Sequence, residues 1–343
     1  MVIVLFLLVL WCRHSMPAAD WYAQHLYPVI SKVLSWIASP VGFSLTEILI
    51  VILILTFIRQ VIRIFRDREH WKRNLWHVVR LLLWIYVWFY GAWGLNYSRS
   101  DIYTRLGATA TPYEEAEFQE FLTEFSEQLN ANWCRTDEVD PDAIEQEVKA
   151  WYGNLPAEAG LCTPRSWQHP KRPLFNRLYS AVGVLGFIGP VFDEMHLNRD
   201  LTPLEYPFVF AHEYSHVLGV SGEAEANFWA FEASRASDSQ ATRYSAWYML
   251  LTYSWRNIAS LLGEEAFQAW TATLRPEILE DMERTGDYWR NLRWEGLAKV
   301  QKRWYDAFLR GNRIADGTKN YGQVLRLVLT FSDFHDHEHG EEG

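Results

Sequence analysis

The residues best placed for chemistry are His212 and His216, four positions apart, with Glu213 between them in His212-Glu213-Tyr214-Ser215-His216. On a helix, positions four apart share a face, so both imidazoles can aim a nitrogen at one zinc ion. Glu213 lies beside that face, where a carboxylate can hold and deprotonate a zinc-activated water and pass the proton to a leaving group. Such a site needs a third protein ligand and one open position. Gly219 can end the first helix, and a reversal through Gly222 brings Glu223 or Glu225 back toward the histidines. Two residues apart, these glutamates do not share a helix face: one binds the metal, and the other orients a histidine or caps the helix. The rival reading is a surface helix with chance histidine spacing. The apolar run Phe208 to Ala211 before the motif, the glycine turn after it and the acidic residues beyond count against that reading.

Other residues can assist. Asn227, four after Glu223, can support a ligand from behind. A developing oxyanion commonly finds a tyrosine donor, and Tyr244, Tyr248 and Tyr253 lie on a following helix. Upstream, Gly186 to Asn198 reads as an edge strand able to pair with an extended substrate; Asp193, Glu194 and His196 are candidates to serve the site, or ordinary surface polar groups. Cys134 and Cys162 suit a loop-closing disulfide or two free thiols equally. No nucleophile-elbow serine motif or phosphate-binding glycine loop is present.

The elements that must hold these residues are mostly helical. Thr111-Pro112-Tyr113-Glu114 opens a helix to about 130, and Asp140-Pro141 another to about 152. Further helices are expected near 204–219, 222–237, 241–256, 263–282, 286–310 and 320–331. Thr202-Pro203-Leu204-Glu205 resembles a capping box, but Pro207 would interrupt a helix begun there, so the regular helix can equally start at 206 or 207. The glycine-rich stretch Tyr179 to Val191 reads as a strand or strand pair. The His-rich acidic tail 333–343 reads as disordered.

The first 96 residues differ in kind. Apolar runs cover about 1–12, 41–58 and 78–95; the second and third are long enough to span a bilayer. The first is short, and lacks the basic start and small-residue cleavage site of a signal peptide. Arg59, Arg63, Arg66, Arg68, Lys72, Arg73 and Arg80 oppose only Asp67 and Glu69, so a basic loop at 59–77 is placed in the cytoplasm and residues 97–332 outside. A composition of 49% hydrophobic and 22% charged residues excludes a disordered chain, and a net charge of -10 argues against nucleic-acid binding.

These pieces together resemble DUF3810, a family of uncharacterised bacterial membrane proteins. The matching stretches are Asn198-Arg199-Asp200-Leu201, Leu204-Glu205-Tyr206-Pro207-Phe208, the His212 to His216 motif with Gly219, and Glu223-Ala224-Glu225-Ala226-Asn227-Phe228. Arg243-Tyr244-Ser245 and Tyr321-Gly322-Gln323-Val324 resemble its later segments. The resemblance implies a metallopeptidase of undefined substrate. A more distant likeness to gluzincin membrane peptidases, whose downstream E-x-x-A-D supplies a zinc ligand from its first Glu, favours Glu223 over Glu225. Asn227 replaces the Asp of that pattern and cannot supply a carboxylate. The interval from His216 to Glu223 is short for a gluzincin and nearer metzincin spacing, yet Gly222 stands where a metzincin histidine would.

The expected architecture is therefore N-terminal transmembrane helices followed by a mainly helical α+β, zincin-like (gluzincin-like) domain with a small edge-strand region. The expected function is a Zn2+-dependent peptidase of the bacterial inner membrane, its catalytic domain facing outside, with peptide substrate and lipid bilayer as partners. The alternative is a non-catalytic membrane scaffold that retains the domain.

Overall fold

The structure, a computed structural model, describes residues 1–110, 115–312 and 321–331. The expected helix opening at 111–114 and the tail at 333–343 lie outside the described residues. Helix α1 (Val2–His14) runs past Cys12 and ends at Ser15, whose extended backbone and side-chain acceptor for the Ala18 amide start α2 (Met16–Trp21). One π turn (Tyr22–Leu26) leads into α3 (Tyr27–Ala38), where Pro28 lacks the N–H that an unbroken α ladder requires. Residues 16–38 are thus helical, and bend by 106° from α1.

Two 22-residue helices, α4 (Leu45–Arg66) and α5 (Trp71–Ala92), are long and apolar enough to cross a membrane; α1 with the bent segment after it would make a third span. At 1.5 Å per residue each covers ~33 Å, about the hydrocarbon thickness of a bilayer. The basic segment is less of a loop than expected. Arg59, Arg63 and Arg66 extend α4, and α5 begins at Trp71, so only four residues leave helix between them. Arginine is a good helix former, and its long side chain can reach water from a helix end.

After a short 3-10 turn (Gly94–Ser98) and α6 (Ile102–Leu106), the chain forms α7 (Glu115–Asn132) and α8 (Pro141–Gly153), the latter capped by Asp140. Residues read as strand from 179 begin instead in α9 (Asn176–Val182), which Gly183 ends in a left-handed conformation. The strand is confined to β1 (Gly186–Gly189), antiparallel to β2 (Glu194–Leu197), with Phe187 opposite His196. The glycines that suggested extended chain act here as a helix stop and as strand positions of close approach.

Helix α10 (Tyr206–Val217) carries the two histidines, α11 (Glu223–Arg235) the two glutamates, and α12 (Gln240–Leu262) packs on both. Pro207 costs no hydrogen bond because α10 starts at Tyr206. The single helix expected at 263–282 is two, α13 (Glu264–Thr271) and α14 (Pro276–Leu292), because Pro276 restarts the helix after a break at 272–275. Helices α15 (Glu295–Gly311) and α16 (Tyr321–Phe331) complete the described fold.

The buried apolar cluster crosses the expected boundary at residue 96. Tyr22, Tyr27, Trp93 and Leu95 belong to the same cluster as Phe210, Tyr214 and Phe231. Polar contacts reinforce this union. Glu194 accepts hydrogen bonds from the Leu45 and Thr46 amides at the start of α4, and Glu47 accepts from the Leu174 and Phe175 amides.

Candidate metal centre

Helix α10 is apolar around most of its surface and is buried, which aims its polar residues inward as a group. It ends at Val217. Gly219, at φ 99°, takes a backbone conformation that side chains resist, and the Tyr27 ring packs so close that a Cβ there would sit 2.9 Å from it. The chain reverses and α11 begins with Glu223. His212 Nε2 lies 3.4 Å from Glu223 Oε2, and His216 Nε2 lies 3.9 Å from the same oxygen. One ligand atom from each of the three residues falls within 4.8 Å of the others.

The imidazoles are oriented from behind. His216 Nδ1 donates to the Val220 carbonyl at 2.7 Å, which leaves Nε2 as the lone-pair nitrogen on the site side. Trp93, at the end of α5, donates to the His216 carbonyl at 2.9 Å and packs edge-on to its ring. Asn227 faces His212, and Asn227 Oδ1 and His212 Nδ1 are both buried without a hydrogen bond. Binding a cation through Nε2 would fix the proton on Nδ1 and supply a donor for that oxygen.

Electrostatics describe a cluster held by a proton where a cation would bind. Burial opposes the charge on His212, but its hydrogen bond with Glu223 and the nearby carboxylates outweigh this and raise it above the usual histidine range. Burial keeps His216 below that range. Burial also works against Glu223, yet both histidines and the Tyr305 hydroxyl hold its carboxyl at about 2. Glu213 goes the other way: burial pushes it up to about 8, with His212 opposing and Glu223 adding to the rise. Its Oε2 is buried and unsatisfied, facing the same cavity as the three ligand candidates. Two histidines and a carboxylate suit zinc, and the orphaned polar atoms around them fit a metal centre.

Glu225 points elsewhere. It pairs with Arg99 at 3.4 Å and more closely with Arg105, and accepts from Trp229 Nε1 at 3.0 Å. Tyr244 and Tyr248 also leave the site, donating to Asp281 on α14. Tyr253 stays on the cavity wall. Asp193 accepts from Ser31 and Tyr27, Glu194 caps α4, and His196 bonds Ser44 at 2.7 Å, so none of these three reaches the histidines. Cys134 and Cys162 are free, the latter buried.

Two contributors escaped the sequence reading. Tyr305 on α15 donates to Glu223 Oε1 at 2.6 Å. Gly186 on β1 lies flat against the catalytic candidate: a Cβ there would sit 2.5 Å from Glu213 Cγ. A tyrosine 82 residues from its partner leaves no local signal, whereas a glycine in a strand does hint at close approach.

The cavity holds about 530 Å³. Besides the ligand candidates its wall includes Phe89 from α5, Trp93 just after it, Phe187 from β1 and Phe308 from α15. Comparison with curated proteins gives no match, and comparison with solved structures gives none. One family, described as "Protein of unknown function (DUF3810)", matches residues 22–329. That span is most of the chain and includes both candidate spans and every residue of the His212, His216 and Glu223 cluster, so the protein belongs to the DUF3810 family.

Proposed function

We propose that the protein is a membrane-anchored zinc peptidase with a zincin-like domain, holding Zn2+ through His212, His216 and Glu223. The observation that carries this reading is the convergence of those three side chains beside an unsatisfied Glu213 carboxylate in one cavity. Bound zinc supplies Lewis acidity, which lowers the pKa of water and polarises a carbonyl. The charge of a bound cation would hold the buried Glu213 carboxyl ionised, free to take the proton from the attacking water and deliver it to the leaving amine. Strand β1 pairs only with β2 among the described residues, which leaves its other edge for an extended peptide backbone. The aromatic wall excludes bulk water and strengthens every charge interaction inside. The basic residues at the end of α4 and the start of α5 support a bacterial inner-membrane location with the site on the opposite, outer side.

Metal analysis and hydrolysis of a peptide library by the full chain test the reading. Wild type should carry about one zinc per chain. Glu213→Gln should keep the zinc and lose hydrolysis. Zinc-free protein from purification without chelators would refute the metal centre. Zinc with no hydrolysis by wild type would favour the scaffold role instead.

A further inference from the structure

The domain outside the two spans carries an exposed apolar face. On α15, Val300, Trp304 and Phe308 follow at intervals of four, so they share one side of the helix, and they are 51%, 75% and 40% exposed. Lys299, Arg303 and Arg310 take the other side. Trp294, just before α15, is 67% exposed and its amide donates to the Ala181 carbonyl at the end of α9. Helix α9 continues the face with Leu178, 50% exposed. Aromatic and aliphatic residues on one side with lysine and arginine on the other are the pattern of a helix lying in a membrane surface.

The position of this face identifies what covers it. At one end, the Leu174 and Phe175 amides ahead of α9 are held by Glu47, in the first turn of α4. At the other, Phe308 packs edge-on to Phe89, in the last turn of α5, with ring centroids 5.9 Å apart. Helices α4 and α5 pack as consecutive helices joined by a four-residue turn, so the start of one and the end of the other lie on the same side of the membrane. The exposed face is therefore bracketed by the same-side ends of both candidate spans. Trp88, 48% exposed near the end of α5, sits where tryptophan favours the lipid-water boundary.

We infer that the α9–α15 face rests in the bilayer interface, and that the cleft opens onto it. Tyr305 turns inward to Glu223 while its neighbour Trp304 turns outward, and Phe89 and Phe308 form both the junction with the span and part of the cleft wall. Resting on the peptidase reading, this assigns the substrate class: a polypeptide anchored in the same membrane, cut in the segment next to the bilayer surface.

The test uses the full chain with its three native cysteines replaced, reconstituted in phosphatidylethanolamine and phosphatidylglycerol vesicles. Single cysteines at Trp294→Cys, Trp304→Cys and, as a control on the polar side, Lys299→Cys carry a nitroxide. Labels at 294 and 304 should collide with lipid-soluble oxygen in preference to an aqueous nickel chelate, and the label at 299 the reverse. Equal nickel access at all three sites would overturn the inference. Shielding of 294 and 304 from both reagents would also overturn it, and indicate a protein partner. For the substrate class, Trp304→Ser combined with Val300→Ser should slow cleavage of a lipid-anchored peptide at least ten-fold more than cleavage of the same peptide free in solution. Equal slowing would overturn delivery from the bilayer. Absence of cleavage by wild type would count against the peptidase reading, while the nitroxide result alone decides the membrane contact.

Discussion

The Tyr305 hydroxyl donates to Oε1 of Glu223 at 2.6 Å and leaves Oε2 turned to the two histidines. One side chain from the last third of the chain thus sets which oxygen the cluster uses. Hydrogen bonds that orient metal ligands from behind typically account for 10–100-fold in metal affinity. Tyr305→Phe should therefore weaken zinc binding by about 10–100-fold, measured by competition with a zinc chelator, with helix content unchanged. An unaltered affinity would remove Tyr305 from the centre.

The two glutamates separate function from stability. Glu223→Gln should lose zinc and remain folded, since the residue is partly exposed and its partners can reach the cavity. Glu225→Gln should retain zinc but destabilise the fold by about 3–5 kcal/mol, the cost of stranding a buried charge. Arg99 and Arg105 have side chains only 5% and 8% exposed and would lose their shared carboxylate. Zinc content and denaturant unfolding of both variants check this. Loss of metal in the Glu225 variant alone would reverse the assignment.

Gly186 should matter for rate far more than for metal. Its missing Cβ is occupied by Glu213, so Gly186→Ala must push that carboxylate aside. A displacement of about 1 Å at a reacting group can cost about 100-fold in rate. The variant should hold zinc normally and hydrolyse about 100-fold more slowly. Wild-type turnover would show that Glu213 tolerates the shift or does not act as the base.

Much of the cluster was legible in the sequence because it is local. The two histidines, the glycine turn and the glutamates fall within fourteen residues, and helix geometry alone brings them near each other. The choice between Glu223 and Glu225 was not legible from the residues themselves, because it depends on Arg99 and Arg105, which are more than a hundred residues away along the chain. The end of α9 reads as strand in the sequence because Gly183, with Gly186 and Gly189 beyond it, mimics an extended segment. The packing of Trp93 onto the motif helix was also hidden: an apolar run long enough to span a bilayer carries no mark of which residues face protein.

Asp193 gives a pH signature away from the metal ligands. Burial raises its carboxyl to about 7, although Ser31, Tyr27 and the charge of Arg165 pull it down. In the unfolded chain it titrates near 3.8, so between these values the fold binds the extra proton. Its contribution to stability is complete below about pH 4 and is lost as pH rises through about 7. Asp193→Asn keeps a neutral acceptor and tolerates the positive φ of 54°. Chemical denaturation from pH 4 to 8 should show a flatter stability curve for the variant, and parallel curves would exclude Asp193 as the source.

The cleft wall begins at Phe89 and ends at Phe308. In order of synthesis, the two candidate spans exist well before α10, and α15 follows all three. A nascent chain holds the histidine pair without the helix that positions Glu223 and closes the wall. The bond that fixes Glu223 and the Phe308 side of the wall are therefore completed only after both candidate spans and α10 have been made.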